Sequence, residues 1–391
     1  MKIQIDGTNT VNKGAELMLY AVLEQIEKSH IHAEVIFNTS SASKSARYIN
    51  TDLNFHKRWI MEHCGKVIYK LKIEEIFNRL HLPDTWLTRK YVCSGIDVVL
   101  DAGGFQFSDQ WKHNKRNCNE WNAYYSKLKK NGTQIILLPQ AFGPFYTAGG
   151  QEIAKILDKY VDLIFARDAI SQQYLLEAGV SPHKIKLYPD FTSLVEGEFP
   201  VQYAQFKGKV CIIPNVKMIE KAAIDSIVYL SFLENLTKYI LAHDKDVFLL
   251  NHESEGDWQL CQLINERMGR SFPIVSGLTA KETKGVIANS YMAVSSRFHG
   301  VASALNSSVP CLATGWSHKY EMLFNDFGEK DRLIDVKESF ANIARKIDFV
   351  LSEEGNHVCR EQLTLNKKSV QERNKQMWKQ IWEFIANSKL L

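Results

Sequence analysis

The sequence holds no CxxC pair. Its seven cysteines, at positions 64, 93, 118, 211, 261, 311 and 359, are scattered, and several fall in apolar runs. That spacing argues against zinc sites and disulfides and fits buried, reduced thiols in a cytosolic protein. No apolar run approaches the length needed to cross a bilayer. Residues 1–7 alternate like a strand and lack the apolar run of a secretory signal. Short-period repeats and low-complexity tracts are missing, as are a GxGxxG fingerprint and a Walker loop, so neither a dinucleotide nor a P-loop is inferred. Charge of one sign is lacking too. Lys and Arg number 48 against 44 Asp and Glu, a net +4 that is too small for wholesale coating of nucleic acid. No cluster of metal ligands stands out, so metal independence is expected.

What remains is an ordinary globular composition, 45% hydrophobic and 24% charged, on 391 residues, enough for two cores. Apolar strand-like runs alternate with helix-length connections throughout. Strands are expected at 2–6, 33–38, 97–100, 134–138, 163–166, 185–188, 209–213, 246–250, 273–275, 291–296, 309–314 and 332–336. That alternation implies parallel sheets and two doubly wound α/β domains. The polar, Pro- and Gly-containing stretch 196–208 is the expected linker. It separates a domain over 1–196 from a second over 209–368. A long amphipathic helix over 369–391 is expected to cross back to the first domain, by analogy with other two-domain folds.

The most informative stretch is 291–325, which reads strand, helix, strand, helix. Its polar residues sit where each strand gives way to its helix: Ser295, Ser296, Arg297 and His299 at one turn, Ser317, His318 and Lys319 at the next. In a parallel sheet both turns open on the carboxyl edge, where open α/β sheets bind ligands. Two helix N-termini, two cations and a histidine there suit a small, multiply charged anion.

Other strand exits carry weaker signals. Asn12 to Glu16 opens a helix after strand 2–6, with Gly14 permitting close approach of a ligand. Asp101-Ala102-Gly103-Gly104 follows a buried strand, and Pro139-Gln140-Ala141-Phe142-Gly143-Pro144 another. Arg167 occupies the same kind of place as Arg297, directly after a buried strand, and has Asp168 beside it as an alternative partner. Residues 105–121 mix Phe107, Trp111 and Trp121 with amide and basic side chains; a solvated loop and a sugar-binding surface are both compatible with that mixture. Residues 40–89 read as helices of an insertion packed on the domain surface, where recognition of an acceptor is also conceivable. His252, Glu253 and Glu255 read as loop residues rather than ligands.

Taken in order, these motifs, together with Phe165-Ala166-Arg167-Asp168, Ser296-Arg297-Phe298-His299-Gly300 and His318-Lys319-Tyr320, resemble the polysaccharide pyruvyl transferase family over about residues 1–330. The strongest likenesses are Arg297-x-His299 and the lysine twenty positions after that histidine. The resemblance implies a fold like the two-domain GT-B glycosyltransferases, with two Rossmann-like domains facing a cleft. It implies transfer of a pyruvyl group from phosphoenolpyruvate to two hydroxyls of a sugar, giving a ketal, in polysaccharide or glycoconjugate biosynthesis. It also implies that Arg167, Arg297, Ser296 and Lys319 bind the donor and that His299, Arg297 and Lys319 carry the chemistry. Asn12, Gly104 and Gln140 are the candidates for acceptor contact. The chain departs from many members in having Ala15 directly after Gly14, with the acid one place later at Glu16, so no carboxylate chemistry is assigned to that turn.

On this reading no cofactor is needed, phosphoenolpyruvate being a substrate. The partners are that donor and a sugar whose lipid or nucleotide linkage the sequence leaves open. No nucleic acid partner is expected. The expected location is the cytoplasm, with peripheral contact at the inner membrane face left open. His299, whose ordinary pKa suits proton transfer near neutrality, is expected to act as acid or base. Two alternatives remain: a nucleotide-sugar-dependent GT-B glycosyltransferase, in which the cationic turn holds a diphosphate, and a non-catalytic phosphosugar-binding protein.

Overall fold

A computed structural model of the chain describes residues 1–37, the backbone of 54–55, and residues 95–222, 224–315 and 317–387. The expectations for residues 40–89 therefore lie almost wholly outside the described residues. Two wholly parallel sheets organise the chain.

The first sheet has the order β3-β2-β1-β4-β5-β6-β7. Its strands are β1 (Lys2–Asp6), β2 (Glu34–Phe37), β3 (Asn54–Phe55), β4 (Val98–Asp101), β5 (Gln134–Gln140), β6 (Leu163–Ala166) and β7 (Ile185–Leu187). The helices are α1 (Lys13–Lys28), α2 (Lys115–Lys130), α3 (Ala148–Tyr160) and α4 (Ala169–Glu177).

The second sheet has the order β10-β9-β8-β11-β12-β13. Its strands are β8 (Val210–Ile213), β9 (Val247–Leu250), β10 (Ile274–Val275), β11 (Met292–Ser295), β12 (Cys311–Thr314) and β13 (Leu333–Ile334). Its helices are the single turn α5 (Lys217–Glu220), then α6 (Ser226–Ala242), α7 (Glu255–Met268), α8 (Ala280–Ala288), α9 (Phe298–Asn306), α10 (His318–Asp326), α11 (Phe340–Leu351) and the long α12 (Glu353–Asn387).

Both sheets are covered on two faces, which is why their strands read as continuous apolar runs rather than alternating ones. In β8, Val210 and Ile212 enter one buried cluster and Cys211 and Ile213 the other. In β9, Val247 and Leu249 divide from Phe248 and Leu250 in the same way. Each fully buried side chain of this size contributes roughly 1.5–3 kcal/mol of transfer free energy, so the sheet centres are the firmest part of either unit. The five described cysteines, 118, 211, 261, 311 and 359, are all buried and unbridged. No described helix is long and apolar enough to cross a membrane.

By contacts the chain divides into two units. The first comprises the described residues of Met1–Thr10, Val22–Tyr188 and Trp378–Leu391, and the second comprises Val11–Ala21 and Pro189–Met377. Both α1 and α12 thus contribute to each unit. The start of α1, with Asn12, Lys13 and Gly14, belongs to the second unit although it follows the first strand of the first. The expected linker 196–208 lies inside the second unit. There Glu198 N donates to Lys281 O at 3.0 Å, and the buried Lys284 Nζ donates to Thr192 O at 3.1 Å and Val195 O at 2.5 Å.

The aromatic stretch 105–121 is neither a solvated loop nor a sugar-facing surface throughout. Asn114 and Asn117 close a capping box that starts α2. Phe107 is fully buried, and the Trp121 ring packs against Phe107 at 4.9 Å and Tyr125 at 5.3 Å. Trp111, by contrast, is exposed.

Candidate functional site

In the second sheet the strand order reverses between β8 and β11, the place where doubly wound sheets leave a crevice at their carboxyl ends. The exits of β8, β9, β11 and β12 deliver Asn215, the His252–Glu253 loop, Arg297 with His299, and His318 with Lys319. The start of α1 adds Asn12 and Gly14.

The turn after β11 is rigid. Ser295 Oγ accepts from Arg297 N at 3.1 Å and donates to Arg297 O at 3.0 Å. Ser296 is buried, its hydroxyl taken by Tyr229 Oη at 2.7 Å and Thr314 Oγ1 at 2.5 Å. Its carbonyl accepts from Asn215 Nδ2 at 2.7 Å and Tyr320 Oη at 3.0 Å. Ser296, expected as a donor ligand, is thereby a brace under the turn: its hydroxyl is already committed within the fold. Helix α9 begins with no side-chain cap, and so does α10, where the buried Ser317 Oγ makes no hydrogen bond among the described residues. Two helices therefore present first-turn N–H groups that no capping side chain satisfies, an arrangement that favours an anion.

Arg297 differs from expectation. Its planar fork was to grip the anion, but the fork's Nε and Nη2 edge is held by Asp257, with Nε to Oδ2 at 2.8 Å and Nη2 to Oδ1 at 2.7 Å. Nη1 faces Glu253. Glu253 Oε1 in turn accepts from Asn12 Nδ2 at 2.6 Å, and Asn12 Oδ1 caps α1 by accepting from Gly14 N at 2.8 Å and Ala15 N at 3.1 Å. Asn12, expected on the acceptor side, is thus a helix cap tied to the Arg297 corner. Burial raises the Asp257 carboxyl and lowers the Arg297 guanidinium, and the bidentate contact between them offsets the cost to both charges.

That pairing makes a stability prediction. Asp257→Asn leaves the guanidinium buried without its fork-matched charge. A loss of about 3–5 kcal/mol is expected, read as a lower denaturant midpoint at unchanged slope. A loss within about 0.5 kcal/mol would mean that Asp257 does not balance Arg297.

His299 lies one helical position into α9, its side chain 12% exposed, with Nε2 3.7 Å from Asp190 Oδ2. A Cβ added at Gly14 would overlap its Nδ1, so the ring lies directly against that glycine. The neighbouring Phe298 ring meets the imidazole edge-on at 5.1 Å, and Lys319 Nζ lies 5.4 Å from the centre of the same Phe298 ring. Arg297, His299 and Lys319 are therefore gathered in one corner. His252, behind them, is buried, and burial holds its pKa well below the ordinary value, with the Arg297 charge adding to the effect. It is a loop residue, as expected, but a buried one whose surroundings favour the neutral imidazole.

The remaining candidates belong to the first unit. Arg167, at the exit of β6, is buried, and its N donates to Gln140 O at 3.0 Å. Asp168 caps α4 by accepting from Ser171 N at 2.7 Å. Gln140 is fully buried, and neither atom of its side-chain amide hydrogen-bonds among the described residues. Gly104 O accepts from Ala141 N at 3.1 Å. Glu16, the displaced acid of the α1 turn, is buried and paired with Lys13 at 2.6 Å.

A two-domain Rossmann-like α/β protein of GT-B type is the class that these sheets define, and solved structures agree. HepE from Anabaena in complex with UDP and glucose superposes with a TM-score of 0.61 at 11% identity, over 99% of this chain and 100% of that one. A putative UDP-N-acetylglucosamine 2-epimerase from Listeria monocytogenes gives 0.59 at 12%, over 99% and 96%. The UDP-GlcNAc 2-epimerase from Methanocaldococcus jannaschii gives 0.56 at 14%, over 91% and 94%. At such identities the likeness is one of fold alone. No curated protein sequence matches the chain significantly. The family model for polysaccharide pyruvyl transferase matches residues 12–318, and the chain belongs to that family.

Proposed function

We propose that this pyruvyl transferase takes its pyruvyl group from phosphoenolpyruvate and forms a ketal with two hydroxyls of a sugar. The observation that carries the reading is the corner of the second unit where two uncapped helix N-termini meet Arg297, His299 and Lys319. Phosphoenolpyruvate bears a carboxylate and a phosphate on three carbons, and such a corner suits it. Arg297, oriented by Asp257, offers Nη1, and the anion takes the place that Glu253 occupies against it. Lys319 balances charge on the departing phosphate.

The reaction adds a proton to the methylene carbon and joins one sugar oxygen to the adjacent carbon. The phosphate–carbon bond then breaks, and a second sugar oxygen bonds to the same carbon. Two hydroxyl protons are released in all; one balances the new methyl group and the other leaves with phosphate. His299 is the group that moves a proton. Arg167, Gly104 and Gln140 are carried as candidates for substrate contact in the first unit, by their places at strand exits. The reading needs no cofactor.

The test is an acceptor screen with phosphoenolpyruvate, read by mass for an added pyruvyl ketal and by phosphate release. Nucleotide release from a nucleotide sugar would instead make the protein a glycosyltransferase. Ligand binding gives an independent check. Phosphoenolpyruvate should raise the melting temperature by mass action, and pyruvate, with one anionic group, should do much less. Equal shifts from both, or a shift from nucleotide sugars alone, would count against this donor.

A further inference from the structure

We infer that Asp190 is the positioning residue of His299, holding the Nε2 edge of the ring toward itself while the Nδ1 edge lies against Gly14. The inference rests on the proton-transfer reading of His299 given above. Asp190 is almost fully buried and starts the short 3-10 turn Phe191–Leu194. One carboxylate oxygen is committed: Oδ1 accepts from Thr192 N at 3.0 Å and from the Thr192 hydroxyl. The other, Oδ2, faces His299 Nε2 at 3.7 Å. The backbone is pinned as well, because Asn374 Nδ2, on α12, donates to Asp190 O at 2.8 Å and to Ser193 Oγ at 2.7 Å. A carboxylate buried and fixed in this way keeps a set place beside the imidazole.

At 3.7 Å this is an ion-pair contact and not a hydrogen bond, and catalytic contacts that are long without substrate often tighten once it binds. A carboxylate on one ring nitrogen fixes the tautomer and orientation of the ring and stabilises the imidazolium once it forms. Among the described residues the other titratable groups of the corner are Arg297 with its partners Asp257 and Glu253, Lys13 with its partner Glu16, Lys319 across the Phe298 ring, His318 beside it in sequence, and the buried His252. Three of these are cations, which oppose a charge on His299, although Arg297 is offset by Asp257 and Glu253 and Lys13 by Glu16. Asp190 supplies the opposing effect at ion-pair distance.

The experiment uses the full chain with 15N-labelled histidine, the His299 signal being the one lost in His299→Gln. In Asp190→Asn the titration midpoint of His299 should fall by about one pH unit or more, as expected for loss of an opposite charge at this range. Turnover should fall about tenfold to a hundredfold. The double variant Asp190→Asn/His299→Gln should be no slower than His299→Gln alone, because the two act as one unit. An unmoved midpoint in folded Asp190→Asn overturns the inference, and so do losses that multiply in the double variant. Should Asp190→Asn not fold, Thr192→Val removes the hydroxyl donor to Oδ1 while the Thr192 N–H stays; the carboxylate, with one donor fewer, should favour the imidazolium more and move the midpoint upward by less than a unit, and no movement there overturns it equally. Full turnover in His299→Gln would instead sink the catalytic reading of His299, while the midpoint still decides whether Asp190 governs the ring.

Discussion

His299→Gln is expected to lose about a hundredfold or more in turnover while still binding phosphoenolpyruvate. Glutamine keeps a hydrogen-bonding side chain at the start of α9 but cannot titrate near neutrality. If His299 only held the turn together, the amide would serve, activity would stay, and the cost would appear in His299→Ala as roughly 1–3 kcal/mol of stability. The geometry favours the chemical role. The turn is already braced without the imidazole, by Ser295 on the Arg297 backbone and by Tyr229, Thr314, Asn215 and Tyr320 on Ser296. Donor binding should survive because Arg297, Lys319 and the two helix starts remain. The measurement pairs turnover with the phosphoenolpyruvate-dependent rise in melting temperature. Active His299→Gln removes the proton-transfer role. Inactive protein that no longer binds donor makes His299 a ligand, and the proton carrier must be sought among its neighbours.

The strands were legible because both sheets are covered on two faces, so each buried strand leaves a short continuous apolar run. The run at 163–166 and the helix at 280–288 coincide with β6 and α8. Helices were harder. The buried face of α2 consists of Cys118, Tyr124, Tyr125 and Leu128, and its other positions are largely polar. Aromatic residues spaced among amides and lysines look much the same on a loop, so the helix was hidden. The last helix was expected from 369, yet α12 begins at Glu353, because its first turns bury only widely spaced residues such as Cys359 and Leu363.

For the site, the residue types at the strand exits after β11 and β12 were informative, since a parallel sheet puts consecutive exits on one edge. Their partners were not. Asp257 meets Arg297 from forty residues away, and Glu253 meets Asn12 across 241 positions. Pairing of that range leaves no periodicity and no local spacing to read. The sequence therefore suggested a free guanidinium fork and a ligand hydroxyl on Ser296, where the fold has committed both to itself. A signal was nonetheless present in the His252–Asp257 stretch, whose three acids directly follow a buried strand, at the same sheet edge as Arg297.

Gly14→Ala should be about a hundredfold slower, a loss of the size that follows when a reacting group is displaced by about an ångström, while the folded state is scarcely weakened. Gly14 lies in the first turn of α1, and its φ is not in the left-handed region, so the backbone accepts alanine there. Helix propensity alone would favour the change by up to about 1 kcal/mol. The new methyl group, however, falls on His299 Nδ1, and the ring atom next to it, Cγ, lies only 2.8 Å away. Either the imidazole turns aside or the start of α1 shifts, and the second course also disturbs the Asn12 contact with Glu253. The effects on stability and on turnover thus have different origins and can be measured apart. Melting temperature within a few degrees of the parent, together with a large fall in turnover, is the expected pattern. The same substitution made on His299→Gln should slow the enzyme little further, because the group it displaces has already lost its function. Parent-like turnover in Gly14→Ala would show that the position of the ring against α1 has no part in the reaction, and a multiplied loss in the double variant would trace the effect to the α1 turn itself.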